Sequence, residues 1–123
     1  MTSWITVCDT CKRDDWDETR SGGKTDGEAL AEMVEAAAAG SELKVRRVSC
    51  LMGCSNSCNV TIQAHGKLAY TMGMFDPVVE AAEGIVAYAK GHAESASGTV
   101  PYREWPQAVK GHFVTRHHPI PEE

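Results

Sequence analysis

Five cysteines are the residues of this 123-residue chain best suited to chemistry. Cys8 and Cys11 form C-x2-C, and Cys50, Cys54 and Cys58 form C-x3-C-x3-C. Thiolates bind soft metals, hold iron in clusters and exchange disulfides. Several thiolates in one place repel one another and oxidise readily, and a bound cation or cluster removes both problems. Four-cysteine sets serve zinc, 2Fe–2S and 4Fe–4S alike. The C-x3-C group is a poorer zinc knuckle than C-x2-C, and the spacings match neither the plant-type nor the bacterial ferredoxin run. The triple Cys50, Cys54, Cys58 is not the C-x3-C-x2-C of radical enzymes, whose barrel 123 residues cannot supply. A thioredoxin-type dithiol at Cys8-Asp9-Thr10-Cys11 would have to open a helix, whose positive end activates the thiol. The following residues, Lys12 to Thr19, have no apolar periodicity, and their acidic side chains disfavour a thiolate. The pattern therefore favours a metal or cluster over dithiol exchange.

Other residues are weaker signals. Gly53 would let the backbone approach the sulfurs and donate an amide hydrogen bond to them, or serve as an ordinary turn glycine. Met52, Met72 and Met74 suit core packing better than shielding of a cluster. Asp9, Asp14, Asp15, Asp17 and Glu18 read as a solvated acidic loop that could also guide docking to a basic redox partner. His112, His117 and His118 read as surface histidines, lacking a second ligand group at clear spacing. Trp105, between Pro101 and Pro106, either staples the tail to the domain or marks a partner site. No nucleophile–base pair and no phosphate-cradling glycine loop is visible, so a self-contained enzyme is not expected.

These residues must be positioned by a small set of elements. Trp4 to Val7 is a run of aromatic and β-branched residues, a strand ending at Cys8. Lys12 to Asp26 is a polar loop. Thr25-x-x-Glu28 forms a capping box, and Leu30, Met33, Val34 and Ala37 make one apolar helical face, with Gly40 as the stop. Leu43 to Ser49 is a second strand leading into Cys50. Leu51 to Asn59 reads as a loop. Val60, Ile62 and Ala64 alternate, His65-Gly66 turns the chain, and Leu68 and Tyr70 return: a hairpin. Asp76 is placed to cap a helix with Pro77 at its first position and Val78, Val79, Ala82, Ile85, Val86 and Ala89 on its apolar face; Gly91 is a candidate stop. From Ser95 an irregular tail is expected, with one short helix near Trp105 to Lys110. The β-α-β opening predicts a parallel pair with a right-handed crossover. Cys8 and Cys50 then lie at the same sheet edge, and the turns after them carry Cys11 and Cys54. The order β-α-β-β-β-α, a mixed sheet with helices on its faces, predicts an α/β, thioredoxin-like fold.

Composition narrows the function classes. The length predicts one domain with a real core. Hydrophobic residues at 42% and charged residues at 24% argue against disorder. The formal charge of −5 argues against nucleic-acid binding, which wants clustered cations. No run of apolar residues reaches a membrane span, and residues 1–11 lack the pattern of a secretory signal. An odd cysteine count without such a signal argues against a disulfide scaffold and for the reducing cytoplasm.

The segment from Ser49 to Ile62, SCLMGCSNSCNVTI, resembles the second cluster-binding loop of the thioredoxin-like 2Fe–2S ferredoxins. A C-L-G-x-C loop leading into a hairpin strand also marks the related thioredoxin-like subunit of respiratory NADH dehydrogenase. The resemblance runs from about Ser3 to His92. It implies a ferredoxin domain over residues 1–94 with an extension over 95–123, a homodimer, and one-electron transfer to a redox partner protein. It also implies a 2Fe–2S cluster held by Cys8, Cys11, Cys50 and Cys54. Two departures from the family stand out: the first pair is tighter than usual, and Cys58 stands where a proline is common. Cys11 and Cys58 are therefore alternatives for the fourth ligand. The whole chain, including Pro101 to Pro106, further resembles a family of short bacterial proteins labelled metal-binding, some found beside cobalamin-synthesis genes. That resemblance implies the alternative of a non-redox accessory protein for zinc, iron or cobalt.

Overall fold

The computed structural model describes residues 3–10, 12, 24–49 and 58–119. The chain is α/β, a mixed sheet with two helices consistent with a thioredoxin-like fold, although both helices pack on one face of the sheet and not one on each face. Its order is β1 (Trp4–Cys8), α1 (Asp26–Ala38), β2 (Lys44–Val48), β3 (Val60–Gln63), β4 (Ala69–Met72), α2 (Val79–Glu94) and β5 (Phe113–His117). Among the described residues these strands form one sheet in the order β2-β1-β3-β4-β5. β1 and β2 are parallel, as the β-α-β opening predicts, and the remaining pairs are antiparallel.

Strand alternation divides the sheet into two faces. Ile5 faces Ile62 and Val7 faces Val60 across the β1–β3 pair, and all four are fully buried. Leu30, Val34, Ile85 and Ala89 from the two helices join them in one core. α1 and α2 also pack against each other. The other parity carries a polar row. Arg46, Thr6, Thr61, Thr71 and Thr115 are successive partners across all five strands. Arg46 Nε donates to Thr6 Oγ1 at 2.7 Å, and the Thr61 and Thr71 hydroxyls lie 3.4 Å apart.

Local chemistry explains most element ends. Thr25 is the N-cap of α1, its hydroxyl accepting from the Glu28 N–H at 3.0 Å. Gly40 follows the helix at φ +82°, a left-handed position that suits glycine. Arg47 on β2 grips Glu35 on α1 through two N–H···O contacts of 3.0 and 2.7 Å, fastening the crossover. Gly66 turns the hairpin at φ +73°.

Three further expectations are corrected. Asp76 does not cap α2; the N-cap is Val78, without a side-chain cap bond. Phe75 is buried and stacked on His112, ring centroids 4.3 Å apart, which holds the chain at the sheet edge. The helix starts beyond that anchor, leaving Val78 and Val79 exposed. Gly91 does not stop α2, which runs to Glu94. There the Lys67 ammonium donates to the carbonyls of His92 and Ala93 at 3.1 and 2.8 Å, a cation on the negative end of the helix. Finally, the tail is not irregular throughout. Two 3-10 turns, Tyr102–Glu104 and Gln107–Val109, lead into β5. Trp105 acts as the staple: its indole donates to Val100 O at 2.8 Å and its ring lies 4.5 Å from Phe113.

Candidate functional site

The cysteine edge is assembled by strand ends. Cys8 is the last residue of β1 and pairs with Val48, the last of β2. Asp9 N–H donates to Val48 O at 2.9 Å, and Cys8 N–H donates to Asn59 O at 3.1 Å. Cys8 is thus held between the end of β2, at Ser49, and the residues Cys58-Asn59 that enter β3. The sequence joining Ser49 to Cys58 carries Cys50 and Cys54. Cys8 and Cys58 are both buried, Cys58 completely.

Polar groups gather at the Cys8 sulfur. Its thiol approaches Ser49 O at 3.9 Å, and Thr10 Oγ1 lies 3.6 Å from the sulfur. The Thr10 hydroxyl also donates to Ser49 O. One carbonyl therefore collects two donors from the turn after β1. A negative sulfur would give the Thr10 hydroxyl a second acceptor within a small rotation.

The start of α1 abuts the same turn. Thr25, the N-cap, donates its hydroxyl to Asp9 O. Gly27, in the first turn, lies so close that a Cβ there would overlap the Cys8 carbonyl oxygen. The positive end of a helix therefore meets the turn that carries Cys8, which favours negative charge there. Gly27 was missed at the sequence level. Its signal was a glycine inside the first turn of a helix otherwise rich in alanine, where glycine is costly unless space demands it.

Of the expected ligands, the structure places Cys8 and the alternative Cys58 at one edge. Cys11, Cys50 and Cys54 lie outside the described residues, as do Gly53, Met52, Asp14, Asp15, Asp17 and Glu18. Among the described residues no three His, Cys, Asp or Glu side chains gather as metal ligands. Met72 packs in the core, as expected, whereas Met74 is exposed and left-handed at φ 63°. His112 is a structural residue, its Nδ1 paired with Gly73 O at 2.8 Å. His117 and His118 are exposed. At the opposite end of the sheet His92 is fully buried, with Nδ1 2.9 Å from Ser3 Oγ and Nε2 2.7 Å from Leu68 O. With Nε2–H donating to Leu68 O and Nδ1 accepting from Ser3, the ring is neutral. Burial, the largest effect, lowers its pKa below the ordinary 6.5; the Leu68 bond opposes it, and the smaller effect of the Lys67 charge lowers it further.

A family model described as "Protein of unknown function (DUF1636)" matches residues 5–119. The chain belongs to the DUF1636 family. The DUF1636 match begins inside β1 and extends past β5, so it takes in all five cysteines and most of the tail. No curated protein and no solved structure matches the chain. Among the described residues no helix is long and apolar enough to cross a membrane.

Proposed function

We propose that this DUF1636 chain is an iron–sulfur electron-transfer protein of the reducing cytoplasm, carrying a 2Fe–2S cluster at the edge where β1 and β2 end. Cys8, Cys11, Cys50 and Cys54 would hold the cluster, with Cys58 as the alternative to Cys11. The observation that carries this reading is the position of Cys8. It sits at the end of a parallel pair, one strand away from Ser49, the residue before Cys50, and hydrogen-bonded to Asn59, the residue after Cys58.

The donor set fits such a group. Both described cysteines at this edge are buried sulfur donors, and thiolate sulfur is what iron clusters require. When bound, a 2Fe–2S cluster supplies one-electron chemistry. The chain's own contribution is to hold the Cys8 sulfur away from water and to set polar groups beside it, the Thr10 hydroxyl and the start of α1. Met74, Val78 and Val79 follow β4 and are exposed apolar side chains that a transient redox partner protein could cover.

Anaerobic purification followed by iron, zinc and sulfide analysis, a visible spectrum and EPR after reduction tests the proposal. Two irons and two sulfides per chain, with a rhombic signal on reduction, are expected. Four of each would bring Cys58 into the ligand set. A colourless protein with one zinc per chain would overturn the electron-transfer reading in favour of a metal-handling accessory role.

A further inference from the structure

A second site lies at the other end of the sheet. The start of β1, the end of β3, the start of β4 and the end of β5 wall an open groove of about 580 Å3. Trp4, Arg46, Gln63, His65, His117 and His118 line it. No carboxylate is among its described lining residues, although acidic residues outnumber basic ones in the chain, 17 to 12. Trp4 and Cys8 are four residues apart on β1, about 13 Å at a strand's rise, so this groove is separate from the cysteine edge.

Arg46 is the anchor. Its Nε donates to Thr6 Oγ1 at 2.7 Å and its Nη2 to Gln63 Oε1 at 3.3 Å. Its guanidinium carbon lies 6.0 Å from the centre of the Trp4 ring. Thr6 is buried, so one of these tethers is fixed in the sheet. A guanidinium has five N–H donors; less these two, three remain for a ligand. A guanidinium held in this way loses little further freedom on binding, which is the condition for tight recognition of an oxyanion. The imidazoles of His65, His117 and His118 each carry at least one N–H whatever their protonation, and Nε2 of His117 is already paired with the Thr115 hydroxyl at 3.1 Å. Lys67 also lines the groove, but its ammonium spends two of its three N–H donors on the α2 carbonyls. Trp4, 39% exposed, adds a flat apolar surface beside the cation.

We propose that this groove binds a small-molecule oxyanion, a carboxylate or a phosphate, with Arg46 taking the charge and the imidazoles donating around it. The proposal does not depend on a metal or cluster at the other end of the sheet. Inorganic phosphate and benzoate, titrated separately into the full chain and followed by amide and indole NMR, test it. Saturable shifts at the Trp4 indole and Gln63 side chain are expected with at least one probe, with Kd on the order of 1 mM. Arg46→Gln weakens them about tenfold or more, and Arg46→Lys, which keeps the charge but not the fork, falls between. Unchanged Trp105 indole and thermal transition in both variants establish that the fold persists. Tighter benzoate binding assigns a carboxylate on a flat body that packs on Trp4. Tighter phosphate binding assigns a phosphate. Shifts that never saturate with either probe, or that are the same in Arg46→Gln, overturn the site.

Discussion

At the residue scale, Cys8 and Cys58 look alike in burial but differ in what they should do. Cys8 ends a strand and has the Thr10 hydroxyl and Ser49 carbonyl at its sulfur. Cys58 lies in the same buried core cluster as Cys8 but is completely enclosed, and it precedes β3 instead of ending a strand beside Ser49. Cys8→Ser is therefore expected to abolish iron retention. Cys58→Ser is expected to keep the full cluster and to cost about 1–3 kcal/mol, because it exchanges a completely buried thiol for a more polar hydroxyl. Iron and sulfide analysis beside urea denaturation checks both, and loss of iron from Cys58→Ser would make that residue a ligand. His92 gives a pH prediction with a definite sign. Its folded pKa lies below the ordinary 6.5, so the unfolded chain takes up a proton first as pH falls. Stability is fully present above about 6.5 and declines as pH drops from there towards the folded value. His92→Asn should be less stable at about pH 8, through the lost contacts to Ser3 and Leu68, yet flatter between about pH 8 and 5. Urea unfolding of both proteins across that range measures it; parallel curves would count against His92 as the source.

At the scale of elements, the fastening of α1 to the end of β1 is the step that positions the candidate site. Thr25 bonds to Asp9 O and Gly27 lies against the Cys8 carbonyl, so the helix start and the cysteine turn cannot move independently. Gly27→Ala would force them apart. Because the obstacle is backbone rather than a flexible side chain, a loss of about 2–4 kcal/mol is expected, with weaker metal retention. A thermal transition within a degree or two of the parent's would show that the two can separate freely. This contact explains where sequence reading stopped. Thr25, Gly40, the β-branched run at Trp4 to Val7, the Val60/Ile62 alternation and the His65-Gly66 turn are local patterns, and each was legible because composition, period or turn chemistry determines it. Gly27 against Cys8, and Phe75 against His112 in place of an Asp76 cap, depend on partners distant in sequence. The groove was hidden for the same reason: Trp4, Arg46, Gln63 and His117 come from four strands, and only the register brings them together. For the cysteines, the sequence order and the parallel pair placed Cys8 beside the residue before Cys50, but the spacing alone did not choose among five sulfurs.

At the scale of the whole molecule, the segment after Ser95 is what completes the sheet and closes the core. β5 pairs with β4 along Ala69–Met72, so without it β4 becomes an open edge able to pair with other chains. Val109 is fully buried, and α2 comes so close to the 3-10 turn before it that a Cβ at Gly84 would meet the Ala108 Cβ at 2.6 Å. Tyr88, the largest fully buried side chain among the described residues, is covered edge-on by Phe113 and Trp105, ring centroids 5.2 and 6.1 Å away. Full burial of such a side chain contributes about 1.5–3 kcal/mol, less for the partly buried Trp105 and Phe113, and a domain of this size has about 5–15 kcal/mol in all. Removing Val109, Trp105 and Phe113 together therefore takes away a sum comparable to the total stability. A chain ending at Glu94 is expected to aggregate or to lack a cooperative thermal transition, even though it keeps all five cysteines. Size exclusion and circular dichroism on residues 1–94 decide it. A soluble monomer with a sharp transition would mean that residues 1–94 stand alone and the tail is an accessory. Aggregation, relieved when a peptide covering residues 95–123 is co-expressed, would mean that the functional unit includes the tail, and that the cysteine edge depends for its rigidity on a strand three places away in the sheet.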